Sequence, residues 1–243
     1  MDLTNKVVLV TGGAKRVGKA IVQAFASQGC IMAVHYHTSQ SDAEVTVQAL
    51  HAAGTRAIAV QGDLSQEADV DRVIETTVSH LGRIHVLVNN AALFYRTPLD
   101  SLTAADWQRM IDVNLTGTFM CAHKIGLRMR TWGWGHIINI ADVAGLRPWA
   151  DYIPYSVSKA CVLTLTQGLA MELAPQVMVN AIIPGPVLFQ EDTPIEIQQR
   201  EVEKTLVKRL GTPEEVARVV LFVAESDYST GGVFHVDGGR ALT

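Results

Sequence analysis

The segment NIADVAGLRPWADYIPYSVSK, residues 139–159, sets Tyr155 and Lys159 four positions apart, with Asp142 thirteen residues ahead of the tyrosine. A phenol has an ordinary pKa of about 10, so it exchanges protons near neutrality only if a positive charge lowers that value. Lys159, one helical turn further on, is placed to supply the charge. Asp142 pulls the other way. An ionised carboxylate about 4 Å from the phenol opposes its ionisation by about 4 kcal/mol at an effective dielectric near 20, roughly three pKa units. Such a trio suits a ring C=N bond, whose nitrogen must gain a proton that a carboxylic acid can donate or hold nearby. It suits a plain ketone poorly, because a carboxylate repels the oxygen that becomes negative. The bland alternatives are an idle carboxylate after a strand and an ordinary amphipathic helix start.

For these side chains to meet, the chain must bring distant segments to one edge. Seven β-rich runs are visible: KVVLVT, IMAVHY, RAIAVQ, IHVLVNN, HIINIA, VMVNAII and GVFHVDGG. Each of the first six is followed by a helical pattern, which is repeated βαβ. The runs are apolar nearly throughout, as strands are when helices cover both faces of a sheet. The expectation is an α/β fold of Rossmann type, a doubly wound parallel seven-stranded sheet forming one domain over residues 1–243. Ligands in such sheets bind at the carboxyl ends of the strands, and Asp142 follows the fifth run.

The first run ends in TGGAKRVGKAIVQAFASQG, where Gly12, Gly13 and Gly18 bracket a turn that opens a helix. Glycines allow close backbone approach to a pyrophosphate, and the amides and positive dipole end of the helix near Val17 and Gly18 attract its charge. The second run ends in HYHTS, His35 to Ser39, without the carboxylate that holds an adenosine ribose diol, so NADP(H) is favoured over NAD(H). Lys15, His37, Thr38 and Ser39 could receive a 2′-phosphate. His35 and His37 could also simply end a strand, and a metal pair is disfavoured because no third ligand is evident.

With 48% hydrophobic and 18% charged residues, the 243-residue chain can bury a large core. A net charge of −4 with scattered basic residues offers no footprint for nucleic acid or an anionic membrane. No basic leader and no apolar stretch near ~20 residues is visible, so a cytoplasmic protein without a membrane span is expected. Cys30, Cys121 and Cys161 lie singly in apolar segments and read as core packing rather than a disulfide or zinc framework.

Taken together, TGGAKRVG, NNAA at 89–92, VNLTGTF with Asn114, YSVSK at 155–159 and PGPV at 184–187 resemble the short-chain dehydrogenase/reductase family over essentially the whole chain. The resemblance implies an Asn-Ser-Tyr-Lys set, with Asn114, Tyr155 and Lys159 in their places and Asp142 where the serine stands. It implies that Lys159 bonds the nicotinamide ribose and that Asn114 anchors a proton-relaying water. It further implies a cofactor groove built from Gly12, Lys15, Arg16, Val17 and Gly18, from His35, Tyr36, His37, Thr38 and Ser39, and from Asp63 and Leu64. Asn90, Ala91 and Ala92 with Pro184, Gly185 and Val187 complete it.

Arg16 replaces the family's usual second glycine, and NNAALFYRTPL sets Phe94 and Tyr95 just beyond the asparagines. With Asp142 and HYHTS, these features resemble the pteridine reductase branch. That likeness implies an arginine, Arg16, near the phosphates and pterin, an aromatic ring, Phe94, against the pterin, and an Asp142-Tyr155-Lys159 catalytic set. Ala92 and Thr38 depart from it, standing where the branch has a ligand-contacting serine and an arginine. Trp149, Tyr152 and Phe189 compete with Phe94 as apolar walls.

The expected activity is NADPH-dependent reduction of pterins or dihydropteridines, dihydrofolate included. The rivals are a 3-oxoacyl-carrier reductase, against which Arg16 and Asp142 speak, and a dinucleotide-binding regulator without catalysis. Residues 188–205 are expected to form a substrate lid. A long helix over 104–130 and another over 155–173 resemble the family's interface helices and imply a homotetramer.

Overall fold

The computed structural model describes residues 2–189 and 193–243. Seven parallel strands form one sheet: β1 (Val7–Val10), β2 (Ile31–Tyr36), β3 (Ala57–Gln61), β4 (Val86–Asn89), β5 (Gly135–Ile140), β6 (Val177–Pro184) and β7 (Val233–Val236), in the order β3-β2-β1-β4-β5-β6-β7. The strand order reverses between β1 and β4, which opens a crevice at their carboxyl ends. Between strands run α1 (Arg16–Ser27), α2 (Gln40–Ala52), α3 (Glu67–Leu81), α4 (Ala104–Ile111), α5 (Gly117–Trp132), α6 (Ile153–Leu173), α7 (Ile195–Glu203) and α8 (Pro213–Glu225).

Alternation along the strands divides the core in two. Val8 and Val10 pack with Ile21, Phe25, Leu50, Val216 and Val220, the layer of α1, α2 and α8. Val7 and Leu9 pack with Val73, Ile74, Cys121, Ile125 and Leu173, the layer of α3, α5 and α6. Both faces are therefore covered, which explains strands without polar alternation; each fully buried Leu, Ile or Phe contributes roughly 1.5–3 kcal/mol. Cys30 and Cys121 are buried in these layers. No helix among the described residues is long and apolar enough to cross a membrane.

The helix predicted over 104–130 is not continuous. It starts at a capping box formed by Thr103 and Asp106, then passes through a π-helical stretch, Asp112–Thr116, before α5. Gly117 lies hard against the loop after β3, where a Cβ would stand 2.8 Å from the Leu64 carbonyl oxygen. The wider π turn holds Asn114 within that crowded junction. The second long helix runs from Ile153 to Leu173, with Pro154 in its first turn, where the missing N–H costs nothing. Of the predicted lid, residues 190–192 lie outside the described residues, and α7 occupies its second half.

Candidate active site

A cleft of about 1620 Å³ opens at the carboxyl ends of the strands, lined by the turn after β1, the ends of β2 to β6, the start of α6 and α7. Asp142, Tyr155 and Lys159 converge in it. The Tyr155 hydroxyl donates to Asp142 Oδ2 at 2.9 Å. The other carboxylate oxygen, Oδ1, accepts from the Ala144 amide at 2.7 Å and caps a short 3₁₀ turn, Val143–Gly145. That cap fixes the carboxylate's direction.

Burial raises the Asp142 pKa against the opposing effects of the Ala144 amide and the Lys159 charge. Burial, reinforced by the neighbouring carboxylate, holds the Tyr155 phenol well above its usual range. Lys159 stands beside this pair without bonding the phenol. Its ammonium donates to the Ile140 carbonyl at 2.7 Å and stands 5.8 Å from the Tyr155 ring centre, and burial brings its pKa down to about 8. The tyrosine is thus held in its phenol form as a hydrogen-bond donor to Asp142.

Asn114 is 1% exposed, and its side chain does not reach the cleft. Its Oδ1 accepts from the Leu93 amide at 2.7 Å and its Nδ2 donates to the Leu93 carbonyl at 3.0 Å and the Ser158 hydroxyl at 3.3 Å. It braces the segment carrying Phe94 against α6.

The phosphate turn is built tightly. Gly12 has φ +60°, and a Cβ on Gly18 would stand 2.2 Å from the Gly12 oxygen. Lys15 at the head of α1 makes no side-chain cap, and no acidic residue occupies the first turn, so the amides near Val17 and Gly18 are available to an anion. Asn90 lies behind this turn, donating through Nδ2 to the carbonyls of Thr11 at 2.9 Å and Gly12 at 3.1 Å. Thr11, which sequence reasoning missed, accepts the amides of Asn90 and Ala91 on its hydroxyl. Ala91 and Ala92 continue along the cleft wall.

At the far end, Tyr36, His37, Thr38 and Ser39 line the cleft. Ser39 heads α2 without capping it, which leaves its hydroxyl and the first-turn amides for a phosphate. Asp63 accepts from the Ser65 amide and hydroxyl and lies 3.9 Å from His37, while Leu64 is buried beneath. His35 also lines this end of the cleft. The residue is 2% exposed, and its ring hydrogen-bonds inward to Gly12 and Gly62. On the opposite wall Pro184, Gly185 and Val187 line the cleft, with Gly185 pressed so close to Asp237 that a Cβ would stand 2.6 Å from its Cα.

Arg16 occupies its position with φ +55°, a conformation glycine adopts freely and arginine at a cost of about 1 kcal/mol. Its guanidinium reaches across to the carbonyls of Leu188 and Phe189 at 3.3–3.4 Å, clasping the start of the predicted lid to the phosphate turn. Phe94 stacks on Tyr152 with ring centres 4.9 Å apart and meets Tyr155 edge-on at 4.8 Å; Trp149 closes the group. The aromatic wall is therefore shared, and Tyr152 belongs to it as much as Phe94.

A family model described as enoyl-(acyl carrier protein) reductase matches residues 12–241. A 3-oxoacyl-(acyl-carrier-protein) reductase of Synechocystis sp. is 38% identical, covering 99% of this chain and 98% of that protein. FolM alternative dihydrofolate reductase 1 from Brucella canis, solved with NADP, is 34% identical with a TM-score of 0.93, covering 100% of this chain and 96% of that one. A short-chain dehydrogenase/reductase from Serratia marcescens is 32% identical with a TM-score of 0.93, covering 99% of this chain and 100% of that one.

Proposed function

The chain belongs to the short-chain dehydrogenase/reductase family, and on that premise we propose that it is an NADPH-dependent reductase of pterins and dihydropteridines, dihydrofolate included. The observation that carries this reading is the 2.9 Å hydrogen bond from Tyr155 to Asp142, an acid where a carbonyl-reducing site would hold a neutral hydroxyl. The flat aromatic wall of Phe94, Tyr152 and Trp149 beside it supports a planar heterocycle. The NADP held by the Brucella canis relative supports the cofactor. So do the uncapped first turns of α1 and α2 and the absence of a carboxylate at the end of β2.

NADPH, when bound, supplies the hydride. The chain supplies the proton and the positions. The amides at the head of α1, with Lys15, hold the pyrophosphate, and Ser39, Thr38 and His37 hold the 2′-phosphate. Tyr155 and Asp142 share a proton that burial retains beyond the ordinary carboxylate range, and a ring nitrogen facing them can take it. The negative charge left behind lies beside Lys159, which Ile140 holds at that end of the cleft. Phe94 and Tyr152 exclude water from one face of the ring.

The carbonyl alternative draws on the Synechocystis relative, and one assay separates the two. NADPH oxidation is followed with dihydrobiopterin, dihydrofolate and an acetoacetyl thioester in parallel. Turnover of the pterins supports the proposal, and turnover of the thioester alone replaces it. The same reading takes the protein as a homotetramer, supported by apolar side chains left exposed on α5 and α6: Phe119, Leu127 and Met171. A monomeric mass in sedimentation at micromolar concentration overturns that part.

A further inference from the structure

His35 lies beneath the cleft and is joined to both loops that form its adenosine end. Its Nδ1 accepts from the Gly12 amide at 3.1 Å, and its Nε2 lies 3.1 Å from the Gly62 carbonyl oxygen. These partners fix one neutral tautomer: Nδ1 must be bare to accept, and Nε2 must carry the proton to donate. The backbone repeats the link, since the Gly13 amide donates to the His35 carbonyl at 2.9 Å.

Gly12 is thus gripped through both of its peptide groups, its N–H by His35 and its carbonyl by Asn90 Nδ2 at 3.1 Å. The grip matters because Gly12 abuts the head of α1: a Cβ on Gly18 would stand 2.2 Å from its oxygen. A change in the Gly12 backbone that turns the Gly12–Gly13 carbonyl must displace the first turn of that helix. At the other end of the ring, Gly62 precedes Asp63, and both line the cleft.

We propose that His35 is a positioning residue for the dinucleotide: its neutral ring, seated on the Gly62 carbonyl, holds the Gly12 amide of the phosphate turn, and that bond to Gly12 sets cofactor affinity without the ring touching the cofactor. This rests on the dinucleotide reading above. It assigns the Gly12 amide to the protein's own scaffold, leaving the pyrophosphate to amides further along the turn.

Two conservative variants separate the two bonds of the ring. In His35→Asn the side-chain oxygen stands where Nδ1 stood and can still accept from Gly12. In His35→Gln the polar group stands nearer Nε2, and the Gly12 amide loses its acceptor. NADPH dissociation constants are measured by cofactor fluorescence, beside steady-state kinetics and amide exchange at Gly12. The expected result is a Kd within threefold of the parent for the Asn variant and at least tenfold weaker for the Gln variant. With the latter, exchange at Gly12 is faster and kcat at saturating NADPH changes less than threefold. Equal Kd values for the two variants, a loss of kcat without a change in Kd, or loss of folding in both overturns the proposal. A parent protein that fails to bind NADPH overturns the dinucleotide reading instead.

Discussion

Replacing Asp142 with serine removes the one acid that touches Tyr155 while keeping an oxygen able to cap Ala144, so the 3₁₀ turn costs little and stability changes by less than ~1 kcal/mol. The chemical effect is far larger. Across the 2.9 Å between Oδ2 and the phenol oxygen, two negative charges repel by about 6 kcal/mol at an effective dielectric near 20, roughly four pKa units. That repulsion keeps a proton on the Asp142–Tyr155 pair, and serine abolishes it. If the retained proton is the one delivered to a ring nitrogen, kcat for dihydrobiopterin falls about 10²- to 10⁴-fold, the usual general-acid contribution. NADPH affinity stays within about twofold, because Asp142 contacts none of the residues that form the phosphate turn or the end of β2.

The pH profile carries the sign. Asp142 is shifted upward by burial, so its acid form persists above the ordinary carboxylate range and is lost as pH rises. Parent turnover therefore declines on the alkaline side of that pKa, and the serine variant lacks this limb. Steady-state rates from pH 5 to 9, beside cofactor binding by fluorescence, decide the matter. Pterin turnover within threefold of the parent at neutral pH refutes the role given to Asp142.

Tyr36→Asp at the end of β2 adds a carboxylate that accepts from a ribose diol and repels a phosphate; the ratio of kcat/KM for NADPH over NADH should fall at least about tenfold, or ~1.4 kcal/mol. Gly18→Ala forces a methyl to 2.2 Å from the Gly12 oxygen and 2.6 Å from Asn90 Nδ2, so NADPH binding should vanish in a titration, with ~1–3 kcal/mol of stability lost in urea unfolding. His136 is fully buried in β5, with neither ring nitrogen bonded among the described residues, and burial brings its pKa down to about 4. The unfolded chain takes up this proton near pH 6.5 and the folded one only near 4, so its contribution is complete above pH 6.5 and lost on acidification, by up to ~3 kcal/mol. His136→Leu should match or exceed parent stability at pH 7 and flatten the fall in denaturation midpoint between pH 6.5 and 4.5; a steeper fall contradicts the assignment.

Most of what the sequence determined is periodic or local. Seven apolar runs alternating with helical patterns dictate a covered parallel sheet, because strands without a polar face need helices on both sides. Glycines opening a helix dictate an anion site, and the four-residue interval between Tyr155 and Lys159 dictates neighbours on one helical face. Even Asp142 was legible, since it follows a strand whose carboxyl end must face the cleft. The tertiary structure decided where each polar group turns. His35 and His37 flank Tyr36 and read alike, yet the first is buried with its ring turned inward to Gly12 and Gly62, and the second is exposed. Lys159 finds the Ile140 carbonyl rather than the phenol, and Asn114 is drawn into a π turn by Leu93 and the crowding at Gly117. Arg16 reaches the Leu188 and Phe189 carbonyls, more than 170 positions away. These partners are distant in sequence, and a buried donor or acceptor takes whichever complement the packed backbone brings within about 3 Å, because leaving it unpaired costs about 1–3 kcal/mol. Periodicity carries no record of that choice.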